Sequence, residues 1–333
     1  MNSYKAYLAI RNDDNSTTTA LTTRNMDELP PGDVLIRVAY SSLNYKDALS
    51  ATGAPGVTKN YPHVPGIDAS GEVVESAVAA YNPGDEVLVT GYDLGSNTDG
   101  GYAEYIRVPA EWVVPLPAGL TAKDAMIYGT AGFTAALCVH SLQRNNLKPD
   151  MGPVVVTGAT GGVGSVAIGI LAKLGYTVIA STGKSSKHDF IKKLGASSIV
   201  DRDAVQEDSG RPLLKSRWAG AVDTVGGNTL TTIVKSIQQQ GSVAACGVVA
   251  GPKLELTVFP FILRGVRLLG IDSAMCPHDL RRDIWAKLAD EWKPAHLESL
   301  VTTIHLKDLD SAVASILKGQ NVGRTVVKIS NET

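Results

Sequence analysis

The chain has 333 residues, 44% hydrophobic and 19% charged, and its 31 basic side chains face 33 acidic ones for a formal charge of −2. At roughly 100 to 200 residues per domain, this length predicts two domains with substantial cores. The even charge balance argues against a nucleic-acid or anionic-membrane binder, and 33 glycines with a low charged fraction suit many tight turns around a buried sheet rather than disorder.

In chain order, residues 1–10 hold only a short apolar run and are followed by the polar stretch 11–19, which is not a signal-peptide pattern, so the expected compartment is the cytoplasm. No uninterrupted apolar run approaches the roughly 18 residues of a membrane span. Asn15-Ser16-Thr17 and Asn331-Glu332-Thr333 match the glycosylation pattern and, without a secretory signal, read as chance matches. Short strands are predicted over Val34 to Tyr40, Gly71 to Val74, Glu86 to Thr90 and Tyr105 to Val108. They are separated by Pro30-Pro31-Gly32, Asn82-Pro83-Gly84 and Asp99-Gly100-Gly101, which predicts a barrel-like β domain. Thr121 and Asp124 have the spacing of a capping box, and a change of domain is expected near residues 120–130.

From Val154 the pattern becomes strand, helix, strand, helix. Strands are predicted at Val154 to Thr157, Thr177 to Ser181, Ser198 to Val200, Ala221 to Val225, Ser242 to Cys246 and Val266 to Ile271, with helices at Val166 to Leu174 and His188 to Leu194. Near-continuous apolar strands alternating with helices predict a doubly wound parallel sheet in an α/β fold. The tail, helical near Leu280 to Leu288 and strand-like over Thr325 to Ile329, is too short to stand alone and is expected to pack back on the first domain.

The sharpest local signal is Thr157-Gly158-Ala159-Thr160-Gly161-Gly162-Val163-Gly164, between a predicted strand and a predicted helix. Ala159 stands at the first glycine of G-x-G-x-x-G, and Gly161 and Gly164 fill the second and third places. Such a loop lets backbone amides and the positive end of a helix meet a pyrophosphate. After the second strand comes Ser181-Thr182-Gly183-Lys184, with no acid to hold a free ribose 2′-hydroxyl. Hydroxyls and an ammonium, with Lys187 and Arg202 nearby, suit a 2′-phosphate, so the expected cofactor is NADP(H). Three widely spaced cysteines, Cys138, Cys246 and Cys276, make neither a disulfide framework nor a metal knuckle.

Taken together, the sequence resembles the medium-chain dehydrogenase/reductase superfamily, and within it the zinc-free quinone oxidoreductase and acryloyl-CoA reductase subgroup. The resemblance is carried by Ser41-Ser42-Leu43-Asn44-Tyr45-Lys46-Asp47-Ala48-Leu49, Pro65-Gly66-Ile67-Asp68, Gly129 to Ala135, the glycine loop, Pro260 to Arg264, Gly270 to Ser273 and Gly323 to Val327. It implies a GroES-like β-rich catalytic domain over 1–125, a Rossmann domain over 126–270 and a returning segment over 271–333. It further implies a homodimer and an active site in the interdomain cleft. The cofactor would touch Thr160, Gly161, Gly162 and Val163 at the pyrophosphate, Ser181, Thr182, Gly183 and Lys184 at the 2′-phosphate, and Arg202 near the adenine. Val248, Ile262, Ser273 and Asn321 would lie toward the nicotinamide. Arg324 would either meet a phosphate or make a structural bridge.

The zinc enzymes of this superfamily use a cysteine, a Gly-His-Glu segment and a four-cysteine lobe. Here Asn44-Tyr45 and Pro65-Gly66-Ile67-Asp68 stand instead, and no metal is expected. Reduction of an activated alkene remains open, and it requires a donor near the developing enolate. Tyr45 would donate there or only pack on the nicotinamide. Asn44 would bond the carbonyl or only cap a turn, and Lys46 and Asp47 are expected to face solvent. The expected substrate is acryloyl-CoA or a related enoyl thioester or enone. The alternatives are a quinone, or a non-catalytic NADPH-binding role.

Overall fold

The computed structural model describes residues 2–329, so Asn331 of the second glycosylation pattern lies outside them. The first elements are β1 (Ser3–Arg11), β2 (Thr17–Asn25), β3 (Val34–Leu43), α1 (Tyr45–Ala51), β4 (Asp68–Ser76), β5 (Glu86–Thr90), β6 (Tyr105–Val108) and β7 (Val114–Pro115). There follow α2 (Ala122–Arg144), β8 (Val154–Val156), α3 (Gly162–Lys173), β9 (Val178–Ser181), α4 (His188–Lys193), β10 (Ser198–Val200), β11 (Trp218–Asp223) and α5 (Gly227–Ser236). The remainder is β12 (Ile237–Ala245), α6 (Phe259–Arg264), β13 (Arg267–Gly270), α7 (His278–Ala289), β14 (Val301–His305), α8 (Leu309–Leu317) and β15 (Arg324–Lys328). The chain forms two compact units. One takes the chain up to Thr130, then Ala274–Ala289, then everything from Glu298; the other takes Ala131–Ser273 and Asp290–Leu297.

The first unit is built on a seven-stranded sheet of order β14-β15-β3-β4-β5-β7, with β6 also paired to β3, and on the separate hairpin β1-β2. β15 runs antiparallel to β3 with Val326 opposite Ser42, which brings the tail beside the end of the Asn44 strand. Val34, Ile36, Val38 and Leu43 of β3 enter a core shared with Val73, Val87, Val89, Ile106 and Val108. Each such buried aliphatic side chain contributes about 1.5–3 kcal/mol by leaving water.

The second unit is a six-stranded sheet of order β10-β9-β8-β11-β12-β13, parallel at every pairing. The order reverses between β8 and β11, and open α/β sheets bind ligands at such a switch, at the carboxyl ends of the strands. The segment Gly164–Leu171 of α3 is buried throughout, as expected of a helix apolar on every side. At Gly169 an added Cβ would lie 3.1 Å from the Pro294 ring, so the glycine there permits close packing.

α2 is 23 residues long and apolar enough to cross a membrane by length and composition, but 83% of its most apolar stretch is buried within the protein. Its start is the expected capping box: Asp124 N donates to Thr121 Oγ1 at 3.0 Å, and Thr121 N donates to Asp124 Oδ2 at 3.2 Å. It is interrupted at Gly129, whose φ of 50° and ψ of −159° are not helical.

Candidate functional site

The candidate residues fall on both units, and each set is built within its own. In the second unit, the loop after β8 is held by a knot of side chains at the switch point. Thr157 Oγ1 donates to Asp223 Oδ1 at 2.8 Å and accepts from Thr224 N at 3.0 Å, while Thr224 Oγ1 donates to the Thr157 carbonyl at 3.0 Å. Asp223 Oδ2 accepts from Gly226 N at 2.7 Å; burial raises this carboxyl above the usual range, and the hydrogen bonds oppose that rise. Asp223 was not expected from the sequence. An acid closing an apolar strand just before Gly226-Gly227 is the signal that would have found it.

Gly158, one position before the motif's nominal first glycine, carries the left-handed turn with φ of 57°, and a Cβ there would lie 2.2 Å from Thr224 Oγ1. This explains how Ala159 is accommodated in the motif: the sharp turn is made one residue earlier. A Cβ at Gly164 would lie 2.4 Å from the Gly158 carbonyl, so the loop and helix pack too closely for any side chain at that position. Gly161 is the N-cap of α3 and makes no side-chain cap, and the first turn contains no acid. The amides of Gly162 and Val163, in the first turn of that helix, have no intrahelical carbonyl to meet and point toward the helix's positive end. An anion fits there.

At the end of β9, Ser181 and Thr182 are buried, and Thr182 Oγ1 accepts from Lys184 N at 3.1 Å. A Cβ on Gly183 would lie 2.9 Å from Arg202 Nε, so the guanidinium passes directly over that glycine. Burial, and then the charges of Arg202 and Lys187, lower the pKa of Lys184. Three cations thus converge on the strand end where a ribose would lie, an arrangement that a bound phosphate relieves. Val248, just past β12, and Ile262 on α6 are exposed apolar residues, and Ser273 Oγ accepts from Thr134 Oγ1 at 2.8 Å.

The first unit holds Asn44, Tyr45, Asn321 and Arg324. Asn321 Nδ2 lies 3.4 Å from Thr325 Oγ1. Arg324 is buried and its donors are engaged internally. Nε donates to the Ile127 carbonyl at 2.8 Å, Nη2 to Ser42 Oγ at 2.8 Å and Nη1 to Asn44 Oδ1 at 3.3 Å. Of the two expected roles, phosphate contact or structural bridge, these contacts favour the structural one, because the guanidinium belongs to the interior of its unit. Asn44 likewise takes the second of its expected roles, as the N-cap of α1. Its Nδ2 donates to Asp68 Oδ2 at 2.7 Å and to Asp47 Oδ2 at 3.2 Å, so its amide is bound within the protein rather than offered to a carbonyl.

Asp47, expected at the surface, is fully buried, while Lys46 is half-buried. Asp47 Oδ2 accepts from Asn44 N and Oδ1 from Ile67 N, each at 2.8 Å. Burial, and then the charge of Asp68, push the carboxyl up to about 7. Asp68 accepts from Ser42 Oγ at 2.5 Å, Thr130 N at 2.9 Å and Thr130 Oγ1 at 2.6 Å. Gly129 explains the break in α2, since a Cβ there would come within 2.5 Å of both Asp68 Oδ2 and Ser42 Oγ. Tyr45, the first residue of α1, is the most exposed of this segment, with half its surface open.

These residues do not suit zinc. The Asn44 amide and the Asp68 carboxylate already hold internal partners, an aliphatic Ile67 separates Gly66 from Asp68, and among the described residues no three His, Cys, Asp or Glu side chains gather as a ligand set.

Two family descriptions match the chain: alcohol dehydrogenase GroES-like domain over residues 30–118, and zinc-binding dehydrogenase over residues 162–290. YhfP of Bacillus subtilis, named as a quinone oxidoreductase, is 47% identical over 92% of this chain and 93% of its own length. Acrylyl-CoA reductase AcuI of Ruegeria pomeroyi is 46% identical over 94% of this chain and 95% of its own. The crystal structure of the yhdH oxidoreductase of Salmonella enterica with NADP superimposes with a TM-score of 0.95 at 45% identity, covering 98% of this chain and 100% of that one. That of Bacillus subtilis yhfP with NAD gives 0.96 at 45% identity, with the same coverage.

Proposed function

Because the chain belongs to the medium-chain dehydrogenase/reductase superfamily, we propose that it is an NADPH-dependent, zinc-free reductase of α,β-unsaturated carbonyl compounds, with acryloyl-CoA or a related enoyl thioester as substrate. It is an oxidoreductase with a GroES-like and a Rossmann-type domain. The observation that carries the cofactor choice is the convergence of Lys184, Lys187 and Arg202 at the end of β9, beside an α3 terminus open to an anion. The acryloyl thioester reading rests on the 46% identity to an acrylyl-CoA reductase along nearly the whole chain.

When bound, the nicotinamide supplies a hydride to the β-carbon of the substrate. The amides of Gly162 and Val163 would hold the pyrophosphate, and Thr182, Lys184 and Arg202 would hold the 2′-phosphate. Tyr45 would donate its phenol to the enolate oxygen formed as the β-carbon is reduced, and a proton from water added at the α-carbon would complete the saturated product. A quinone is the second reading, supported by the 47% identity to YhfP. An acceptor screen with NADPH separates the two: saturable turnover of acryloyl-CoA at low micromolar concentration with feeble quinone turnover is expected, and the reverse pattern rejects the thioester assignment.

We also propose a homodimer of this chain. β13 is an edge strand of the six-stranded sheet, and Val258, Phe259 and Leu263 are exposed on the adjoining segment, an apolar face suited to a second copy. Light scattering is expected to give twice the 35.0 kDa chain mass, with Val258→Asp and Leu263→Asp together restoring the single mass; a monomeric wild type rejects the dimer.

A further inference from the structure

We propose that Asp47 is the positioning residue for Tyr45, acting through the buried cluster of Asn44, Ser42, Asp68 and Arg324, and that its ionisation state sets whether Tyr45 is held for reaction. This rests on the functional reading above, in which Tyr45 meets the substrate.

The geometry begins with one carboxyl. Its Oδ2 accepts from both the main chain and the side chain of Asn44, the residue immediately before Tyr45, and its Oδ1 accepts from Ile67 N. Asp47 therefore ties the end of β3 to the segment leading into β4, and the first turn of α1 is closed by its own third residue. Asn44 is gripped from the other side as well, through Nδ2 to Asp68 and through Oδ1 from Arg324. Ser42 completes the cluster, accepting from Arg324 and donating to Asp68. Every member is buried, while the adjoining Tyr45 is half exposed. Farther along, α1 is anchored by Ala48 and Ala51 in the core and by Ser50, which bonds Thr58 and Tyr61, so Asp47 is what fixes the first turn, where Tyr45 stands.

The charges facing Asp47 come from several elements: Asp68 of β4, Arg324 of β15 and the Tyr102 phenol, which is itself raised by burial and by Asp47 and Asp68. Two carboxyls face one guanidinium, so a proton is the natural second positive charge. Ionised, Asp47 accepts all three N–H bonds; protonated, one oxygen becomes a donor and a grip on Asn44 or Ile67 is lost. With the carboxyl raised to about 7, that exchange falls in the neutral range.

The test follows Tyr45 directly. Wild-type protein carrying ring-labelled tyrosine and carboxyl-labelled aspartate is titrated by NMR across the neutral range, with Tyr45 assigned through Tyr45→Phe. The Tyr45 and Asp47 signals are expected to shift with one midpoint, shared by kcat for acryloyl-CoA, while the affinity for NADPH stays flat. Below the midpoint kcat is expected to fall by about tenfold to a hundredfold, the scale of a small misplacement in an active site. Asp47→Asn is expected to remain at the low plateau with no inflection, and Asp47→Glu to restore one. A Tyr45 signal that ignores the neutral range, or an Asp47→Asn enzyme that keeps the inflection, overturns the inference. If Asp47→Asn does not fold, the wild-type titration decides alone. If the two signals titrate together but no conjugated carbonyl is reduced, the reductase reading falls and this one stands.

Discussion

The two functional regions solve opposite problems with similar raw material. In the loop after β8, small residues clear space so that backbone amides remain open to a ligand; in the cluster after β3, side-chain donors and acceptors saturate one another so that a single phenol is left outside. Backbone amides leave the first site tolerant of sequence at some positions, as Ala159 in a glycine place illustrates, though not at Gly158 or Gly164, where a Cβ would clash. The second has no such slack, because each side chain in it has several partners.

The largest test of that contrast is Arg324→Ala, which strands two buried carboxyls. Removing one member of a buried charge network costs about 3–5 kcal/mol, so urea unfolding of the first unit is expected to shift by that order. A change below about 1 kcal/mol would mean that the cluster is not what holds the unit together. Next is the pH dependence of stability. The folded carboxyl of Asp47 titrates near 7, against an ordinary value of 3.8, so the folded chain keeps its proton longer than the unfolded one. Its contribution is complete below pH 3.8 and is lost as pH rises toward 7, on the order of a few kcal/mol. Wild type minus Asp47→Asn in unfolding free energy should therefore decline across that window; a flat difference contradicts the raised carboxyl.

Much of the open site was legible in the sequence and little of the saturated one. β5 and β6 begin and end where the short apolar runs between turn segments predict, and the glycine loop sits between a strand and a helix as its spacing requires. The hairpin β1-β2 was missed because its threonine-rich second strand puts similar residues on both faces, leaving no period to read. Asp47 was misread as a surface residue, although Asn44 and Asp47 have capping-box spacing that pointed inward. Asp68 and Arg324 lie 256 positions apart, and only the β3-β15 pairing brings the tail to that site. No local pattern encodes such a meeting.

Smaller effects sharpen the comparison at the ligand. Lys184→Ala with Arg202→Ala is expected to weaken NADPH by about tenfold or more and leave NADH unchanged, since each tenfold is 1.4 kcal/mol and a charge-assisted bond is worth about that. Equal losses for both cofactors in a fluorescence titration would detach these cations from the 2′-phosphate. Tyr45→Phe is expected to lower kcat by about tenfold with NADPH affinity intact, below the roughly hundredfold or more of a full general acid. Unaltered turnover would reduce Tyr45 to a packing residue.

The central claim concerns where the hydride goes. Acryloyl-CoA incubated with NADPH deuterated at the transferring position, and analysed by mass spectrometry and NMR, is predicted to yield propionyl-CoA with one deuterium at C3 and a solvent-derived proton at C2. Oxidation of the cofactor without label in the thioester, or label at the carbonyl carbon, would contradict it.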